Sequence, residues 1–187
     1  MKLSRITVVC LALSLVVGVA LAADTVKSGP QVGKPVPGPF HPLNINGETA
    51  GEKTCLFCRN GENPVAMIFA RETSEPLTNL IKKIDACTAK HTDCSMGSFV
   101  VFLSDDESLQ SRLKELVKNT NLKKLVLSID NPAGPKGYEV SRDADITVVL
   151  YTNRTVKANY AFKKGQMKDG DIEKIVADVA KILPKQS

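Results

Sequence analysis

Pro64-Val65-Ala66-Met67-Ile68-Phe69-Ala70-Arg71-Glu72-Thr73-Ser74-Glu75-Pro76-Leu77-Thr78-Asn79-Leu80-Ile81-Lys82-Lys83-Ile84 is the stretch that decides the fold. Its first half holds an unbroken apolar run, residues 65–69, which suits a strand buried on both faces. In its second half the period changes. Leu77, Leu80, Ile81 and Ile84 fall at i, i+3, i+4 and i+7, one face of a helix. Ser74 is placed to cap that helix, and Pro76 is tolerated in its first turn. A strand buried on both faces that runs straight into an amphipathic helix is the start of an α/β sheet.

The same alternation continues outward. Residues 99–103 (Phe-Val-Val-Phe-Leu) form a second buried strand, and Leu109, Leu113, Leu116 and Val117 stripe a second helix capped by Ser104 or Asp105. Residues 125–129 are a third strand, ended by Asn131-Pro132 and a Gly/Pro loop to Gly137. Residues 146–151 and 156–162, joined by Thr152-Asn153-Arg154-Thr155, predict a hairpin. A last helix starts at Asp169-Gly170, with Ile172, Ile175, Val176, Val179 and Ile182 inward. Upstream, residues 32–42 alternate Pro and Gly with apolar residues and predict an extended arm, and Asn46-Gly47 marks a turn in a leading hairpin. The fold class is therefore α/β, a mixed sheet with helices on both faces and an N-terminal extension.

Composition narrows the function. Among 187 residues, 43% are hydrophobic, enough to bury a core without staples. Trp is absent and aromatics are 5%, too few for base-stacking platforms. A charge of +5 arises from 25 basic and 20 acidic residues intermixed along the chain, so no basic arm points to nucleic acid. No phosphate loop or nucleophile elbow occurs, and no cofactor is expected.

Lys2 and Arg5, the apolar run of residues 6–20 and Ala20-Leu21-Ala22 follow the order of a secretory signal peptide. The run is shorter than the roughly 20 residues of a membrane span. Residues 1–22 are therefore read as a signal peptide, 23–31 as a flexible leader and 32–184 as one domain, exported to the periplasm or outside the cell, with no membrane span after cleavage.

The order of elements resembles the thioredoxin-like fold, in its redoxin branch. Val32-Gly33-Lys34-Pro35-Val36-Pro37 and Phe40, followed by Asn46-Gly47-Glu48, look like the redoxin opening VGxPxPxF with its turn. Tyr138-Glu139-Val140 and Ile146 to Asn153 look like YxI…PTLLLFxNG. In thioredoxins a CxxC pair follows the first core strand. Here Thr73 and Pro76 occupy those two positions, and Ile146 replaces the expected cis-proline. A hydroxyl cannot replace a thiolate in disulfide exchange, so the usual active site is absent.

Cysteines lie elsewhere. Outside the signal stretch they are Cys55, Cys58, Cys87 and Cys94, an even number that favours disulfides in an exported chain. Cys58 precedes the first core strand, Cys87 ends the helix that returns to that pole, and Cys94 precedes the second core strand. All four, with His91, are thus expected at the pole opposite the usual site. Three readings stay open. Two structural disulfides could staple the extension and helix end to the sheet. Cys55-x2-Cys58 has the spacing of a reversible dithiol, a thiol–disulfide oxidoreductase centre with Cys87 and Cys94 as a second pair, although it reads as lying in a loop rather than opening a helix. Tetrahedral zinc on Cys55, Cys58, Cys87 and Cys94, with His91 as a substitute, is the third. Expected partners are a thiol substrate or an unidentified protein. A disulfide-stapled interaction domain of the cell envelope is the non-catalytic alternative.

Overall fold

A computed structural model describes residues 26–184; the stretch read as a signal peptide and the start of the expected leader lie outside the described residues. The buried run predicted from residue 65 forms β2 (Val65–Ala70), with all six residues buried. The helix that follows, α2 (Glu75–Lys90), is capped as the sequence predicts: the Ser74 hydroxyl accepts from the Leu77 amide at 3.4 Å. Then come β3 (Gly97–Leu103), α3 (Leu109–Thr120), β4 (Val126–Asp130), the hairpin β5 (Ile146–Thr152) and β6 (Thr155–Phe162), and α4 (Asp169–Asp178). Ahead of β2 lie a two-residue strand β1 (Leu43–Asn44) and a five-residue helix α1 (Leu56–Asn60).

Six strands make one mixed sheet in the order β1-β4-β3-β2-β5-β6. β2 pairs parallel with β3 (Val65 opposite Gly97) and antiparallel with β5 (Val65 opposite Tyr151). Both crossovers, through α2 and α3, step the same way along the sheet. Right-handed connection then puts both helices on one face. α2, α3 and α4 accordingly share one apolar cluster, in which Leu80, Ile84, Leu113 and Ile175 meet Val100 and Leu150. On the opposite face α1, the extended arm and Tyr138 cover Met67, Phe69, Phe99 and Val149. Helices thus lie on both faces, but unequally. The predicted leading hairpin shrinks to one bridge, Leu43 with Lys53, because β1 pairs with β4 instead.

The Pro-rich arm lies on the sheet as its sequence suggests. Gly33 N–H donates to Val156 O at 2.9 Å, and Val36 N–H to Arg154 O at 2.8 Å. Phe40 anchors it edge-on to Tyr138, ring centroids 5.0 Å apart, a geometry that adds about 1 kcal/mol beyond burial. The last residues read as a flexible leader are bound instead. Ser28, Gly29 and Pro30 are buried. The Ser28 hydroxyl bonds that of Thr147 at 2.7 Å, and Asn159 Nδ2 donates to the carbonyls of Ser28 and Pro30. Small size, read from the sequence as looseness, is what lets this segment lie close against β5: at Gly29 a Cβ would press on the Thr147 methyl at 3.0 Å.

Candidate functional site

Two places matter: the position a thioredoxin would use, at the C-terminal end of β2, and the opposite pole, where the cysteines lie. At the first, Thr73 and Pro76 enter and begin α2, and no peptide bond among the described residues is cis. Arg71 instead fastens the surrounding loop. Its Nε donates to Ala144 O at 3.0 Å, Nη1 to Pro132 O at 3.0 Å and Nη2 to Ser141 O at 2.9 Å, and its own amide donates to Asp145 O at 3.0 Å. A guanidinium has donors for three carbonyls at once and keeps its charge, so it serves as a clasp. Beside it the Asp145 carboxyl is held above its ordinary value, first by burial and then by the nearby Glu72 carboxylate, with Lys164 and Arg71 opposing. This end holds positioned charge and no redox group.

At the opposite pole Cys55 and Cys58 form a disulfide, with Cα atoms 5.2 Å apart. The sequence places this pair in a loop; the structure puts it at the opening of α1. Cys55 is the N-cap, and its Sγ accepts from the Cys58 amide at 3.0 Å. Gly61 closes the helix at φ 57°, a left-handed conformation that glycine adopts without strain. The helix is anchored by Leu56 and Phe57, both buried. Phe57 lies 6.3 Å from the Tyr151 ring and carries the Arg154 guanidinium 5.5 Å above it. Upstream, buried Asn44 donates from Nδ2 to Thr54 Oγ1 at 2.6 Å and to Thr49 Oγ1 at 2.9 Å, fixing the approach to Cys55.

The two sulfurs occupy different environments. Cys55 is 7% exposed, in the apolar cluster of Val36, Phe40 and Phe57, whereas Cys58 is exposed on the outer surface of α1. Next to Cys58, Arg59 pairs with Glu48 at 2.6 Å, both open to solvent. A groove of about 300 Å³ runs beside α1, where Leu56, Arg59 and Asn60 face Met96 and the Lys123 and Lys124 segment. The groove wall is tight at Gly97, where any side chain would strike Asn60.

The other two cysteines do not join them. Cys87 and Cys94 are free thiols, half-buried against the cluster on the far face of the sheet. Burial pushes the Cys87 thiol up, and Cys94 Sγ donates to His91 O at 3.4 Å. The second disulfide expected from the sequence is therefore not formed. The zinc reading fails as well: two sulfurs are spent on each other, the sheet separates the two pairs, and no group of three or more His, Cys, Asp or Glu side chains converges among the described residues. The inference of a shared pole followed strand direction, which fixes the end of the sheet but not the face. Asn44, Thr54 and Arg154 escaped the sequence reading, because polar residues that act through tertiary contacts leave no periodic trace.

This architecture is a thioredoxin-like α/β fold, with the Cys55–Cys58 pair at the pole opposite the C-terminal end of β2. Solved structures agree on the fold. A protein assigned as the thiol:disulfide interchange protein DsbE from Chlorobium tepidum is 15% identical, with a TM-score of 0.59 over 85% of this chain and 100% of that one. One assigned as a protein disulfide isomerase from Bacteroides thetaiotaomicron is 15% identical, with a TM-score of 0.63 over 84% and 94%. A peroxiredoxin-like protein from Aquifex aeolicus is 11% identical, with a TM-score of 0.57 over 85% and 91%. No protein-family model matches the chain, and no curated protein matches it in sequence.

Proposed function

We propose that this protein is an exported thiol–disulfide oxidoreductase of the thioredoxin-like fold, exchanging electrons with thiol substrates through Cys55 and Cys58. The observation that carries this reading is a disulfide with one exposed cysteine, Cys58, and only the two residues Leu56 and Phe57 between its partners. A staple gains most when it ties distant segments. Closing four residues restricts the unfolded chain by only about 2 kcal/mol on the chain-entropy model, against roughly 3 for fifteen residues. A bond that pins so little and can be reached from solvent suits chemistry better than anchorage.

Burial of Cys55 among apolar side chains favours the second reading, a stapled interaction domain of the cell envelope, and one experiment separates the two. The full chain is equilibrated across a series of thiol/disulfide buffers, and its ability to reduce insulin is measured beside a Cys55→Ser variant. Reversible opening of Cys55–Cys58 within the range of dithiol catalysts, with insulin reduction lost in the variant, supports the oxidoreductase. A bond that resists mild reductant in a protein with no activity to lose leaves the staple.

A further inference from the structure

We infer that, within the exchange reaction proposed above, Cys58 is the sulfur that carries the mixed disulfide and Cys55 the one that resolves it. Thiolate attack on a disulfide requires the incoming sulfur, the attacked sulfur and the leaving sulfur to lie nearly in line, so access decides which sulfur is attacked. An attacker on Cys55 must come from the side away from Cys58. Cys55 is 7% exposed within the apolar cluster that holds Val36, Phe40 and Phe57, which leaves an incoming thiolate little room. Cys58 is exposed, so an incoming thiolate meets far less packing there.

The leaving side agrees. When a substrate thiolate bonds to Cys58 Sγ, the Cys55–Cys58 bond breaks and its electron pair stays on Cys55 Sγ. That sulfur already accepts the Cys58 amide proton at 3.0 Å. Burial alone would disfavour a thiolate there, and the amide offsets part of that cost. A second substrate thiolate then attacks the substrate sulfur of the mixed disulfide and expels Cys58 as thiolate. Two substrate thiols become one disulfide, the protein gains two electrons as a dithiol, and the two protons pass to Cys55 and Cys58 or to solvent. In reverse, Cys58 thiolate attacks a substrate disulfide and Cys55 displaces the reduced substrate.

The test uses Cys55→Ala, which keeps the site apolar, beside Cys58→Ala, both as reduced full-length chains. Each is treated with glutathione disulfide, and adducts are located by peptide mapping, which keeps Cys87 and Cys94 separate. Cys58 in the first variant is expected to react at least about tenfold faster than Cys55 in the second, and to accumulate a stable glutathione adduct. In concentrated guanidinium the two rates should converge, showing that the difference comes from the fold. Equal native rates, or a faster Cys55, overturn the assignment. Since these rates do not depend on insulin turnover, the two failures are distinguishable: a Cys58 preference in the variants beside a wild type that reduces no insulin upholds the order of sulfur reactivity and sinks the oxidoreductase reading on which the roles rest.

Discussion

At the C-terminal end of β2 the chain passes through Arg71 and Ser74 into a sixteen-residue helix without meeting a sulfur, and a guanidinium ties down the loops around it. Beyond the other end of the same strand, a five-residue helix opens on a disulfide whose second cysteine is exposed. The two ends have the same ingredients, a β2 terminus and a nearby helix start with a side-chain cap. What differs is what the cap can do. The Ser74 oxygen can only hold an amide, whereas the Cys55 sulfur holds an amide and can also change its bonding partner. The same sheet therefore supports two differently built poles, one closed by a guanidinium clasp and one carrying a disulfide.

Removing the clasp should give the largest effect. Arg71→Ala leaves three carbonyls without their charged donor and is expected to cost about 3 kcal/mol, or roughly 9 °C in Tm. Thermal melts would register that loss, while the glutathione reactivity of Cys58 should stay within about twofold of the parent. A large change in Cys58 reactivity would mean the poles are coupled and the contrast is false.

Reducing the disulfide comes next. Dithiothreitol should lower unfolding free energy by about 2 kcal/mol in the parent and by nothing measurable in Cys55→Ala, because Cys87 and Cys94 are already thiols. Paired denaturant titrations with and without reductant provide the comparison. An equal reductant effect in the variant would show a further disulfide.

Asp145→Asn probes the clasped end most gently. Its carboxyl ionises less readily in the folded protein than in the unfolded chain, so the folded state holds the proton more tightly. Stability from this group is then present at acidic pH and falls as pH rises through the ordinary value of 3.8 toward the raised folded one. The variant should lose that part of the slope and melt slightly higher at neutral pH, by under about 1 kcal/mol once solvent screening is allowed for. Melting curves from pH 3 to 8 would show it; an unchanged slope would mean Lys164 and Arg71 already balance the burial.

How much of this the sequence reveals depends on the length of the signal. β2 through α2 was legible because five consecutive apolar residues and two turns of helical period leave little room for other readings, and the Ser74 cap fixed the boundary. The absence of sulfur at Thr73 and Pro76 was equally plain. α1 was not legible, since Leu56-Phe57-Cys58-Arg59-Asn60 is too short to display a period, and only its docking through Leu56 and Phe57 makes it a helix. Disulfide pairing was beyond reach for a related reason: spacing brought four cysteines to one end of the sheet, and the choice of face belonged to crossover handedness on one side and to the docked arm on the other.

The sheet order has a consequence in time. β2 sits inside the sheet, and one of its two partners, β5, arrives about eighty residues later, with Val65 opposite Tyr151. A chain emerging from the ribosome N-terminus first can form the β2–α2–β3–α3–β4 run early, yet it must carry an uncovered edge of β2 until the β5–β6 hairpin is made. The Cys55–Cys58 bond needs no such wait, because its sequence separation of 3 makes it the cheapest ring any two of the four cysteines can close. In an oxidising compartment that bond would be in place while the rest of the chain was still searching, which takes those two sulfurs out of competition for Cys87 and Cys94.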